Sequence, residues 1–406
     1  MVILAHNYER ETAAHPAAIA VRLFTAQATS LEDTFDTLVS PLRGELTAAE
    51  EEFERMLGTR GDVQDDTQDQ SSHPMPLTKQ TAYIIRKQCL DDAQFAFDIL
   101  PRALLLSLVA IYDHFLRNHI KALYTIKREL WNTIKIGYTI PELIELQDFD
   151  YIIQNGMERH LDNILRESHL AQLKWLEGLL EMKLTDVPVL PRFIELTERR
   201  NMIAHCGGIA TPFYLEQCKK CGTQPGADLG KPLIVDRAYF TECYNCIFEI
   251  GVKLSQCTWR KVRPDEIRLA DHILRGITYT LLVVERFNLA RNLLEFAHGL
   301  KRHSSDHFAR IFTVNLAQCY KWLGETELCF EVMSKKDWTA AEPAFTLAER
   351  VLYDDFDEAK KLMIITGKNK MIPEEAFRDW PLFRKFRQTQ QFKEAFLEVY
   401  GRPFTG

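Results

Sequence analysis

The segment "DILPRALLLSLVAIYDHFLRNHIKALY", residues 98–124, constrains the fold class more than any other stretch. Leu105, Leu108, Tyr112, Phe115 and Leu123 recur at spacings of three, four and eight, the period of one helix face. Leu104, Val109 and Leu116 widen that stripe, so the spacing predicts a core helix covered on most sides. Pro101 suits the first turn of such a helix. The same period runs through residues 10–58, where Pro41 and Gly44 predict a break into two helices. It returns over 157–182, 191–205 and from Arg237 nearly to the end. Sustained alternation of apolar and polar residues is missing, and the fold class reads as all-α. One interruption stands out. "GGIATPFYLEQCKKCGTQPGADLGKPLIVD", residues 207–236, is rich in Gly and Pro with a short "PLIV" piece, and predicts a small β-hairpin or irregular loop.

With 406 residues the chain is long enough for two or three domains. Composition divides it into N-terminal helices over 1–58, an acidic polar linker over 59–76, a helical domain over 77–263 and a second helical region over 264–406. In the last region "NLAQCYKWLGETELCFEVM" and "FTLAERVLYDDFDEAKKLM" overlay with Ala317 on Ala348, an offset of 31. Such an offset predicts a stack of helical hairpins, an architecture that presents surfaces to partners and rarely performs chemistry. These pieces resemble tetratricopeptide repeats, with several signature positions of that family missing.

A formal net charge of −7 argues against a globally basic nucleic-acid binder but leaves room for a local basic cleft. No apolar run reads as long enough to span a bilayer, and the N-terminus lacks a basic region ahead of its short apolar piece. Nine cysteines, an odd number, fit a reducing compartment. The expectation is a soluble cytoplasmic protein without a membrane partner.

The chemistry concentrates in "ELTERRNMIAHCGG", residues 195–208. On a helix opened by Pro191, Phe193, Leu196, Arg200 and Ile203 share one face, so Arg200 interrupts an apolar stripe. Glu198, Asn201 and His205 form a polar stripe beside it, toward which a long guanidinium can swing. An Arg, an Asn and a His thus converge near a helix end released by Gly207 and Gly208.

"RNMIAH" fits the R-x4-H pattern, with a polar residue directly after the Arg, of HEPN (higher eukaryotes and prokaryotes nucleotide-binding) domains. "ILPRALLLSLVAIYDHFLRNHIKAL" resembles the long helix of those domains, and "ERRNMIAHCGGIATPFYLEQC" resembles their final helix and its Gly-containing exit, particularly near the RiboL-PSP-HEPN group. The resemblance covers roughly residues 77–260. It implies an all-α HEPN-type bundle, and a metal-independent endoribonuclease that acts on RNA as a homodimer, with two Arg/His motifs facing one cleft. It further implies a toxin or anti-phage effector, with a protein partner or antitoxin on the hairpin stack. Arg200 and His205 would be catalytic, with Asn201 assisting and Glu198 supporting. An acidic residue often sits midway along the family's long helix; here Asp113, followed by His114, takes that place in a supporting role. Some members bind nucleotide or protein without cutting, which leaves a non-catalytic scaffold open.

The implied chemistry is sound physically. Metal-free RNA cleavage needs a group near neutrality to take the 2′-hydroxyl proton or to protonate the leaving oxygen, and His205 suits either task. Charge gathering on the phosphorane is met by a planar guanidinium, the role of Arg200. Asn201, one turn before His205, can orient the imidazole or touch phosphate. The products would be a 2′,3′-cyclic phosphate and a 5′-hydroxyl.

Cys218, Cys221, Cys243 and Cys246 form C-x2-C-x21-C-x2-C, close to the spacing of a four-thiolate structural zinc site. The alternative is inward packing of Cys243 and Cys246 beside Phe240 and Ile247 on one helix. No cofactor is expected for catalysis, since four thiolates leave a zinc ion no open position. "HSSDH", residues 303–307, reads as a solvated helix start. Phosphate-cradling Gly-rich loops, hydrolase elbows and H-E-x-x-H motifs do not occur.

Overall fold

The computed structural model describes residues 13–58, 77–135, 137–146, 148–339 and 341–405. The expected linker over 59–76 lies outside the described residues. Among them the regular elements are helical: α1 (Pro16–Gly58), α2 (Leu77–Ile126), α3 (Ile140–Leu146), α4 (Phe149–Leu165), α5 (His169–Leu180), α6 (Leu190–His205), α7 (Pro212–Cys221) and α8 (Arg237–Val262). They continue with α9 (Ile267–Val283), α10 (Phe287–His298), α11 (Asp306–Trp322), α12 (Thr326–Ser334), α13 (Pro343–Leu352), α14 (Phe356–Lys368), α15 (Glu374–Asp379) and α16 (Gln390–Tyr400), with short 3-10 turns between. The fold class is all-α.

Several local expectations are corrected. Pro41 and Gly44 do not split α1, which runs through both, and Pro101 lies inside α2 rather than in its first turn. A proline removes one helical hydrogen bond, and packing on either side of it, by Phe35, Val39 and Leu46 in α1, outweighs that loss. The predicted helix over 157–182 is two helices, because the Ser168 hydroxyl accepts from Ala171 N and starts α5 afresh. No hairpin forms over 207–236 among the described residues. Thr211 caps α7 and Pro212 opens it, leaving only an isolated antiparallel bridge between Ile209 and Pro232. Within Gln80–Ile126, α2 also holds a stretch long and apolar enough, by length and composition, to cross a membrane, against the expectation of none. Its Leu105, Leu108, Val109 and Tyr112 are fully buried, and 33% of that stretch is buried in all.

The chain divides into two compact units, each made of segments that alternate along the sequence. Helices α1, α2 and α8 contribute residues to both. The motif unit comprises residues 26–114 and 187–248. There α1 and α2 lie side by side, with Arg86 on Glu52 (2.7 Å) and Phe53 against Tyr83. Phe35 packs on Phe240 and Tyr112 meets Phe193 edge-on. These contacts fix α6 against α2 and α1 against α8. A smaller core of Met202, Ala210, Tyr214, Cys218 and Leu233 holds the post-motif segment.

The stack unit comprises residues up to 25, 115–186 and 249–406. Its helices pair as α9–α10, α11–α12 and α13–α14, and α11 also packs on α10 and α13. Ala317 and Ala348, overlaid in the sequence, are both fully buried at equivalent places in successive hairpins. Lys321 joins these hairpins by donating to Val351 O, Leu352 O and Asp354 at the C-terminal end of α13. Ser305 caps α11, as expected of "HSSDH".

Candidate functional site

Helix α6 begins with Pro191 in its first turn and presents two faces with different tasks. The inner face carries a buried polar network that the motif did not announce. Glu195 is fully buried; Arg199 Nε donates to its Oε1 (2.8 Å), as does Tyr214 Oη (2.7 Å), while Tyr239 Oη donates to Oε2 (3.0 Å). Arg199 lies 3.7 Å from the Tyr239 ring centroid and donates to Ile234 O (2.8 Å). Burial opposes the Arg199 charge, but the Tyr239 and Glu195 oxygens outweigh it and hold the guanidinium above its ordinary pKa. Burial, followed by Cys243 and Glu195, pushes the Tyr239 phenol well up. These groups remain a positive guanidinium and neutral phenols around one carboxylate. Gly226 closes the network from the post-motif segment: its N–H donates to Tyr214 Oη, and a Cβ there would come within 1.7 Å of Arg199 Nη2. A pair four residues apart, Glu195 and Arg199, is visible in "ELTERR"; its tyrosines, from distant helices, carry no sequence signal.

The outer face carries the motif. Arg200 donates to Asp113 Oδ2 (2.7 Å), 87 residues away on α2, and to Asn201 Oδ1 (3.1 Å). The Asn201 amide lies 3.5 Å from Glu198 Oε2. Four of the five predicted site residues, Asp113, Glu198, Arg200 and Asn201, thus form one chain of contacts. His205 stands apart on the last turn of α6, exposed and without a hydrogen bond to any described residue. Asn201 therefore does not orient the imidazole here; its amide is taken by Arg200 and Glu198. Residues five apart on a helix are offset by roughly 140°, which alone would separate Arg200 from His205. Asn201, which Arg200 contacts, is four residues from His205 and only about 40° from it in helical projection.

Past His205 the chain leaves through Gly207 (φ 62°) and Gly208 (φ 76°), conformations that side chains rarely adopt. Met202 O accepts from both Cys206 N and Gly208 N, and Gly208 O accepts from Leu233 N. A further cation meets this exit: Arg102 Nη1 on α2 lies 3.5 Å from Gly207 O. "PRALLL" gives no reason to single out Arg102; only the packing of α2 against α6 does.

The cysteines do not fit a zinc site. Among the described residues no group of three or more His, Cys, Asp or Glu side chains is arranged to hold a metal ion. Cys218 is buried in the small core, Cys243 and Cys246 face inward on α8, and Cys246 Sγ lies 3.8 Å from Val189 O. Burial pushes the Cys243 thiol up to about 12. The inward-packing alternative is the one realised.

Compared with protein-family models, curated proteins and solved structures, the chain matches none.

Proposed function

We propose that the motif unit is a metal-independent endoribonuclease of HEPN type that cleaves RNA through its own 2′-hydroxyl. The observation that carries this reading is the Asp113–Arg200–Asn201 chain, which fixes a guanidinium on the same helix whose last turn carries the exposed His205. Arg200 keeps donors free for phosphate because Asp113 and Asn201 take one terminal nitrogen each. His205, exposed, is reachable by the 2′-hydroxyl or by the leaving 5′-oxygen. Cleavage would leave a 2′,3′-cyclic phosphate and a 5′-hydroxyl, and DNA would be spared. A homodimer would bring two such motifs to one cleft, and the hairpin stack would take a protein partner or antitoxin. A role as a cytoplasmic toxin or anti-phage effector follows from the same resemblance.

The test is incubation of purified chain with total RNA in EDTA, with Arg200→Ala and His205→Ala beside it. Cleavage by the parent and its loss in both variants is expected. Equal cleavage by His205→Ala would overturn the mechanism, and no cleavage by any form would leave a non-catalytic scaffold.

A further inference from the structure

The motif unit contains a cleft of about 350 Å³ between α1, α2 and the segment Ile234–Arg237, within the size range that holds small ligands. Its charges are not equivalent. Arg237 is committed to Glu32 (2.8 Å) and Asp36 (3.0 Å), and Asp236 accepts from Tyr239 N as the cap of α8. Arg43 lies 5.6 Å from the Phe97 ring centroid, Arg102 reaches the Gly207 carbonyl, and neither has a carboxylate partner among the described residues. Asp98 is the lining carboxylate that likewise has none. Phe97 and the 65%-exposed Ile234 supply apolar surface. Arg102 belongs both to this cleft and to the Gly207–Gly208 exit two residues past His205.

We propose that this cleft binds one ribonucleotide of the substrate strand, adjoining the phosphate on which Arg200 and His205 act; it rests on the ribonuclease reading for that placement. Arg102 and Arg43 hold the nucleotide's phosphate, since guanidinium groups without carboxylate partners keep their paired donors for it. The base lies against Phe97 and Ile234, contacts that accept any base and so favour single-stranded RNA. Because Arg102 touches the backbone just past His205, the bound phosphate and the cleaved one belong to neighbouring nucleotides. Asp98 opposes the phosphate and limits affinity.

The experiment titrates the full chain with AMP, CMP, GMP and UMP and with inorganic phosphate. At least one nucleotide is expected to bind, more tightly than phosphate alone. Arg102→Ala should weaken binding tenfold or more, and Asp98→Asn should tighten it about threefold, the gain showing that a loss is not mere misfolding. A short single-stranded RNA bound to the His205→Ala chain should respond to both substitutions in the same way. Failure of all four nucleotides to bind, or unchanged binding in Arg102→Ala, overturns the pocket. Cleavage is read separately: nucleotide binding with no RNA cleavage keeps the pocket and overturns the ribonuclease reading. Cleavage whose KM is unmoved by Arg102→Ala overturns the pocket and keeps that reading.

Discussion

Asp113 on α2 accepts a hydrogen bond of 2.7 Å from Arg200 on α6, joining the two helices at the point where the polar motif begins. Both side chains are partly exposed, so the pair does little for stability and acts on orientation instead. Asp113→Asn should lower RNA cleavage by about tenfold, while Arg200→Ala should lower it by about 10²–10³, the cost of removing a donor to developing charge. Thermal melts of both variants should stay close to the parent. Comparing single-turnover rates with melting curves checks this; a large fall in melting temperature for Asp113→Asn would assign the pair a structural role.

His205 is exposed and free of described partners, so its removal should be nearly silent in the fold. His205→Ala should lose about 10²–10⁴ in cleavage rate with an unchanged melt. Detection of the 2′,3′-cyclic product by end-group analysis separates this chemistry from hydrolysis by a contaminating nuclease.

The Glu195 network predicts the opposite pattern. Glu195→Ala leaves Arg199 buried without its carboxylate and should cost about 3–5 kcal/mol. Gly226→Ala drives a methyl group into Arg199 Nη2 and should cost about 1–3 kcal/mol. Chemical denaturation of each variant measures these losses, and a Gly226→Ala chain as stable as the parent would show that Arg199 can move aside.

His119, in the stack unit, gives a pH signature. Its Nε2 meets Thr258 Oγ1 at 2.7 Å, and burial lowers its pKa from 6.5 to about 4. Between those values the unfolded chain holds the extra proton, so stability falls as pH drops through 6.5 and levels off near 4. The loss attributable to this group is at most about 3 kcal/mol. Denaturation midpoints from pH 7 to pH 4 should fall less steeply in His119→Gln than in the parent.

Chelation should leave the fold intact. Because the four cysteines do not assemble a metal-holding group among the described residues, EDTA should not shift the melting temperature, and elemental analysis should find less than one zinc per chain. A stoichiometric, chelator-sensitive zinc would contradict the inward packing of Cys243 and Cys246.

What the sequence determined by itself was local. Periodicity of three and four residues made the chain all-α, and the offset between Ala317 and Ala348 announced the hairpins. The same helical spacing placed Glu198, Arg200, Asn201 and His205 on adjoining stripes of one helix. What only the tertiary structure decided were the pairings between helices: Asp113 with Arg200, Tyr214 and Tyr239 on Glu195, and Arg102 against the glycine exit. It also carried α1 and α2 through Pro41 and Pro101, and turned the expected hairpin into a capped helix. Spacing along a chain sets which side chains one helix shows together. Which face meets which depends on long-range packing, and that packing can outweigh a proline, separate a cysteine quartet and give a buried carboxylate its partners.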